Sequence, residues 1–212
     1  MPTVRIILLN YKRPENTRKI VNAFNFIYPI TVINNNPDEP LSTLNADIIN
    51  NDVNNKCMER WVQCFKYPEE FKVILDDDIL PHKNLIDKML LMNEPMVGIY
   101  GKSGVNKADS YIELNDHWCV NATVDFLVGS VIMVKQNVLN IIQKKIIQSG
   151  YPERGDDIMV SYWIKQALNL KNLKTVSGKI LNLPEGQVGL NKNPEHFLMR
   201  WNVVKKFKNL TW

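Results

Sequence analysis

The stretch FKVILDDDILP, Phe71 to Pro81, runs an apolar segment straight into three consecutive aspartates and out into apolar sequence again. Adjacent like charges repel and compete for solvation. A carboxylate beside apolar walls is costly unless a cation pairs with it or a metal binds it. The triplet interrupts apolar sequence instead of decorating a polar loop, so its context favours a cation as partner over a solvated acidic turn.

Upstream, Val4 to Leu9 reads as a first strand and Pro14 to Phe26 as a helix, with Ile20, Val21 and Phe24 at helical spacing and Pro14 at the start. Ile30 to Ile33 is a second strand that ends in the turn cluster Asn34-Asn35-Asn36-Pro37. Ala46 to Ile49 suits a third strand and Asn54 to Phe65 a helix, which leads into the strand Phe71 to Leu75. This alternation predicts an α/β fold with a mostly parallel central sheet flanked by helices. Ligands of such sheets sit beyond the carboxyl ends of the strands. Asn10-Tyr11, Asn34-Asn35 and Asp76-Asp77-Asp78 all fall there.

Downstream, Asn84 to Met92, Val138 to Gln148 and Ile158 to Leu168 read as helices, and Met96 to Tyr100 as a strand. Gly101 to Asp116 is polar, suited to a loop or hairpin. Val124 to Val134 is strongly β-prone with Gly129-Ser130 inside it, and Gly in a strand interior marks close approach of backbone or ligand. The tail carries Gly186 and Gly189, then a basic helix through Lys205-Lys206 and Lys208. With no repeat or linker, 212 residues are expected to form one domain.

Composition excludes the extremes. The chain is 45% hydrophobic and 23% charged, with a net charge of +4, which is ordinary globular usage and compatible with a small anionic ligand. No apolar window reaches the length of a membrane span. Cys57, Cys64 and Cys119 are odd in number and lack metal-ligand spacing, so reduced thiols in a cytosolic setting are expected. In that setting the sequons at Asn121 and Asn209 are chance.

The chemistry-bearing residues fall into a few groups. Asp76-Asp77-Asp78 offers hard oxygen ligands to Mn²⁺ or Mg²⁺. Asp156-Asp157 follows a glycine and opens a helix; one of them could cap it, leaving the other free. Arg13 and Arg60 lie on the ligand side of a parallel sheet, and the guanidinium fork matches phosphate oxygens; a surface charge is the plain reading of either. His196 and Arg200, four apart, share a helix face, and His196 as a lone histidine is by default structural or exposed. The five tryptophans are core by default, although Trp118, in the polar middle, could stack on a sugar. The sum is a metal-assisted enzyme acting on a phosphate-bearing ligand. One alternative is a haloacid-dehalogenase-like phosphatase that uses the D-x-D of Asp76 and Asp78 with Gly155-Asp156-Asp157. Against it, about 70 residues precede the motif and the Gly-Asp-Asp follows no apolar strand. A non-catalytic sugar-nucleotide-binding module is a third class.

These motifs, in order, resemble the GT-A glycosyltransferases, and within them the exostosin-like group. The resemblance is carried by LNYKRP (Leu9–Pro14), TVINNN (Thr31–Asn36), NKCMERW (Asn55–Trp61), VILDDDI (Val73–Ile79), DFLVGS (Asp125–Ser130), GDDIMVSYWI (Gly155–Ile164) and HFLMR (His196–Arg200). The chain is also similar to glycosyltransferase domains of large chlorella viruses, which would place it in a host cytoplasm. The resemblance implies transfer of a sugar from a UDP-sugar to a glycan or glycoprotein, with retention and with Mn²⁺ or Mg²⁺ as cofactor. It implies no nucleic-acid partner. Asp78 and Asp76 would hold the metal, with Asp76 also on the ribose. Asn10, Tyr11, Arg13, Asn34, Asn35, Asn55, Arg60 and His196 would hold the uridine diphosphate. Asp77 would lie near the sugar, Asp157 near the anomeric carbon, and Arg200 against the leaving diphosphate. Residues up to about 100 would bind the nucleotide, and the rest, with a small antiparallel portion, the acceptor. Gly101 to Asp116 does not follow the family pattern, so acceptor choice carries over least.

Overall fold

The computed structural model describes residues 2–184 and 194–208; Gly186, Gly189, Asn209 and Trp212 lie outside them. The first half alternates as its sequence predicts. Strand β1 (Val4–Asn10) leads to α1 (Pro14–Phe24), β2 (Ile30–Asn34), β3 (Asp47–Asn50), the short helix α2 (Glu59–Gln63) and β4 (Phe71–Asp76). Pro14 stands in the first turn of α1, where its missing N–H costs no hydrogen bond. The second half runs β5 (Ile79–Pro81), α3 (Lys83–Met92), β6 (Met96–Gly98), β7 (Tyr100–Ser103), β8 (Asn115–Trp118), β9 (Ala122–Val124), β10 (Phe126–Leu127), β11 (Val131–Lys135), α4 (Gln136–Gln148), α5 (Asp156–Leu168), β12 (Leu173–Thr175), β13 (Ile180–Asn182) and α6 (Pro194–Lys208).

Eight strands form the central sheet in the order β3-β2-β1-β4-β11-β6-β12-β9. The run β3-β2-β1-β4 is parallel, whereas β11 is antiparallel to both neighbours. A three-stranded sheet, β10-β7-β8, supplies the small antiparallel portion. Register aligns the strand ends: Asn10 pairs with Asn34, and Leu9 with Asp76. Because β11 runs the other way, its first residues meet the last of β4, and the Asp76 N–H donates to the Ser130 carbonyl at 3.0 Å.

Alternation along the strands divides the core. Ile6, Leu8, Val73 and Leu75 pack on one face with α1 and α3. Ile7, Leu9, Ile74 and Ile132 pack on the other with Trp61 and α4. A third cluster, including Phe126, Tyr162 and Trp201, joins β10, α5 and α6.

Two expected elements differ. The helix over 54–65 is only α2 extended by a 3-10 turn, Cys64–Lys66. Its front half is loop because Lys56 has φ +58° and its carbonyl accepts from the Asn35 amide. The strand expected over 124–134 is broken into the end of β9, β10 and β11. The chain changes sheet there, and Gly129 turns its N–H to the Asp157 carboxylate.

Candidate active site

The carboxyl ends of β1, β2 and β4 open onto a cleft of about 1040 Å³, closed on its far side by β7, β8 and the starts of α5 and α6. Buried amides set its floor. Asn10, 1% exposed, donates to Asn34 Oδ1 at 2.8 Å and accepts from the Thr17 hydroxyl at 2.8 Å. Asn34 donates to the Asn50 side chain and the Glu39 carbonyl. These two asparagines tie three strand ends together and lie behind the wall. Asn35 reaches the cleft, while Asn55 does not line it; its neighbours Asn54 and Lys56 do.

The acidic triplet meets arginines first. Asp77 is buried with both oxygens engaged, accepting from the Tyr11 N–H at 2.8 Å and from Arg13, which also reaches Asp78 at 3.2 Å. Asp77 therefore latches the loop after β1 onto the end of β4. Arg60 bridges Asp76 and Asp156, and the Trp61 indole N–H joins it on Asp156 at 2.7 Å. Arg60 and Asp156 are 2% and 3% exposed. Removing one partner of so buried a pair costs about 3–5 kcal/mol, so this bridge fixes α2 against α5. Asp156 is not the expected cap: Gly155 is, with Asp156 in the first turn.

Asp157 is 1% exposed with both oxygens engaged: it accepts from the Gly129 N–H, from Arg200 at 2.8 Å and from the Ile158 N–H at 2.8 Å. Burial pushes its carboxyl up, but Arg200, Arg60 and these donors outweigh that and hold it below the usual range. Arg200 in turn donates to the Tyr111 hydroxyl at 2.8 Å. Burial, then Arg200 and Arg154, push His196 down to about 4, so it is neutral at pH 7 and lines the cleft.

Asp76 and Asp78 remain partly open, their side chains 33% and 27% exposed. Burial pushes the Asp76 carboxyl up to about 6; Arg60 opposes this, and Asp78, Asp156 and Asp157 add to it. Two half-open carboxylates with surplus negative charge suit a divalent cation that draws its other ligands from a phosphate. Among the described residues no group of three His, Cys, Asp or Glu side chains is placed to hold a metal alone.

The fold thus gathers Tyr11, Arg13, Asn35, Arg60, Asp76, Asp77, Asp78, Asp157, His196 and Arg200 around one cleft, sets Asn10 and Asn34 behind it, and leaves Asn55 out of its lining. Sequence reading missed the far wall, where Tyr100, Lys102, Asp116 and Tyr111 join Trp118. The signal was there as a period of two, Tyr100-x-Lys102 and Asp116-x-Trp118.

No family model and no curated protein matches the chain. Solved structures do. The bifunctional IspDF from Campylobacter jejuni is 16% identical, with 84% of this chain and 50% of that chain covered and a TM-score of 0.50. TarS 1-349 from S. aureus is 15% identical, with 84% and 58% covered and a TM-score of 0.48. CMP:2-keto-3-deoxy-manno-octonic acid synthetase, complexed with CTP, is 10% identical, with 86% and 94% covered and a TM-score of 0.45. The chain spans 58% of the TarS chain and 50% of IspDF. The likeness to IspDF is one of fold. None of these three matches bears on the viral resemblance. All three cysteines are unpaired, and no helix among the described residues is long and apolar enough to cross a membrane.

Proposed function

We propose that this chain is a metal-dependent glycosyltransferase that moves a sugar from a UDP-sugar to a glycan or glycoprotein acceptor with retention of configuration. The observation that carries this reading is the convergence of the Asp76–Asp78 triplet, Arg13, Arg60 and the Asp157–Arg200 pair on one cleft at the carboxyl ends of parallel strands. Residues up to about 100 form the donor half, and later residues the acceptor half.

Asp78 and Asp76 would hold Mn²⁺ or Mg²⁺, which when bound neutralises charge on the diphosphate. Tyr11, Arg13, Asn35 and Arg60 line the donor half, with Asn10 and Asn34 supporting them, and His196 faces the diphosphate as a neutral ring. Asp77 holds the loop after β1 beside the sugar. Asp157, kept ionised by Arg200, supplies negative charge near the anomeric carbon. A carboxylate held below its usual range is a weak base, which favours this electrostatic role over proton removal from the acceptor. Arg200 acts through Asp157 and on the leaving diphosphate.

The test is release of free UDP from a panel of UDP-sugars, with Mn²⁺ and with EDTA, by the wild type and Asp78→Ala. The expected result is slow, metal-dependent release that Asp78→Ala abolishes. No release from any donor, together with Mg²⁺-dependent cleavage of a simple phosphomonoester, would overturn the reading in favour of a phosphatase.

A further inference from the structure

The far wall of the cleft has a construction of its own. In the antiparallel β7–β8 pair, Tyr100 stands opposite Trp118 and Lys102 opposite Asp116. Side chains two apart on a strand share a face, and all four line the cleft. Tyr100 and Trp118 meet edge to face with centroids 4.9 Å apart, which fixes the indole while leaving Trp118 40% exposed. One oxygen of Asp116, Oδ1, takes both the Tyr100 hydroxyl and the Lys102 ammonium, the latter at 2.6 Å. Lys102 is buried, but the Asp116 side chain is 58% exposed. Its Oδ2 has no hydrogen-bond partner among the described residues. The same ribbon carries Ile112 at the cleft rim in the connection between the strands, 74% exposed.

An exposed, immobilised indole beside a carboxylate with one oxygen held and the other open matches a particular ligand. A pyranose ring offers an apolar C–H face and an edge of hydroxyl donors. The indole takes the face and Oδ2 accepts from the edge. The wall discriminates by charge. Lys102 is neutralised by its ion pair, and the outermost charge is the carboxylate. An anionic sugar, a uronate or a sugar phosphate, would bring its own negative charge against Asp116.

We infer that the β7–β8 ribbon is the acceptor platform, with Trp118 and Asp116 binding an uncharged pyranoside. This rests on the glycosyltransferase reading for the word acceptor; the sugar site itself stands on the geometry of the ribbon. Tyr100 and Lys102 are positioning residues that hold Asp116.

The test is saturation-transfer NMR on the whole chain with methyl α-glucoside, methyl β-galactoside and glucuronate, each titrated to give a Kd. UDP with Mn²⁺ is titrated calorimetrically against the same samples. At least one neutral glycoside should bind the wild type, with glucuronate at least tenfold weaker. Trp118→Ala should weaken the glycoside at least tenfold, with Trp118→Phe recovering most of it. Asp116→Asn should narrow the gap to glucuronate. The Trp118→Phe rescue separates loss of the platform from loss of fold. Three results would overturn the inference: no glycoside binding by the wild type, equal Kd values for wild type and Trp118→Ala, or glucuronate binding as tightly as the neutral sugars. Glycoside binding without any UDP binding would keep the platform and sink the glycosyltransferase reading, so the two failures are distinguishable.

Discussion

At Asp76 burial acts against the ionised carboxylate, the Arg60 ion pair acts for it, and Asp78, Asp156 and Asp157 act against it again. The balance leaves the group at about 6 in the folded state against an ordinary 3.8. The folded chain therefore holds a proton over a range in which the unfolded chain has lost it. The stability tied to this group is present below about pH 4 and is lost as pH rises through about 6. Asp76→Asn removes the charge and keeps the shape. It should match the wild type at about pH 4 and be more stable by about 1–2 kcal/mol at about pH 7.5, after allowance for screening of a group one-third open to water. Urea unfolding at the two pH values measures this. Equal stability at the higher value would mean that Arg60 compensates the carboxylate in full. If the proposed function holds, the same variant should also lose metal-dependent UDP release, because it removes one of the two carboxylates proposed to hold the cation. The sequence displayed the triplet and its need for positive charge. What it could not display is that Arg13 and Arg60, far away in the chain, satisfy part of that need before any metal arrives.

Elements built on period and punctuation were the legible ones. The strands β1, β2 and β4 and the helices α3, α4 and α5 follow from apolar spacing and from the turn residues between them. Elements decided by tertiary contacts were not. Lys56 breaks a helical pattern because its carbonyl is claimed by Asn35, and Gly129 ends a β-prone run because Asp157 claims its N–H. Gly129 does mark a close approach, as its place inside that run implied: a Cβ there would lie 3.0 Å from Arg60 Nη2 and 3.4 Å from oxygens of Asp76 and Asp157. Gly155 sets the start of α5 in a related way. Its φ of +82° is left-handed, and a Cβ would meet Val203 Cγ2 of α6 at 3.0 Å. Gly155→Ala should cost about 1–2 kcal/mol from the backbone alone, read as a lower urea midpoint with an unchanged m-value. Because the strain falls one residue before Asp156 and two before Asp157, UDP release should fall more steeply than stability does. A variant of unchanged midpoint would show that α5 and α6 yield freely at this contact.

Across the molecule, the parallel β3-β2-β1-β4 run and the antiparallel β11 help bring residues from distant stretches of chain to one cleft. The order of motifs disclosed that convergence. The β7–β8 wall stayed hidden because its period-of-two signal is short and gains meaning only from cross-strand register, Tyr100 with Trp118 and Lys102 with Asp116. The proposed donor half makes a prediction at this scale. Arg13 and Arg60 are already committed to carboxylates, so the side of the cleft beside the triplet has little positive charge left for a diphosphate. A cation on Asp76 and Asp78 reverses that balance. UDP and Mn²⁺ should therefore stabilise the fold together and hardly at all separately. At a ligand concentration of about 100 Kd the linkage is worth about 2.7 kcal/mol, which for a domain of this size raises the unfolding midpoint by about 5–10 °C. Differential scanning calorimetry with UDP alone, Mn²⁺ alone, both, and both plus EDTA measures the coupling. A full shift from UDP alone that survives EDTA would show that Arg13 and Arg60 exchange their carboxylates for phosphate and that the triplet needs no metal.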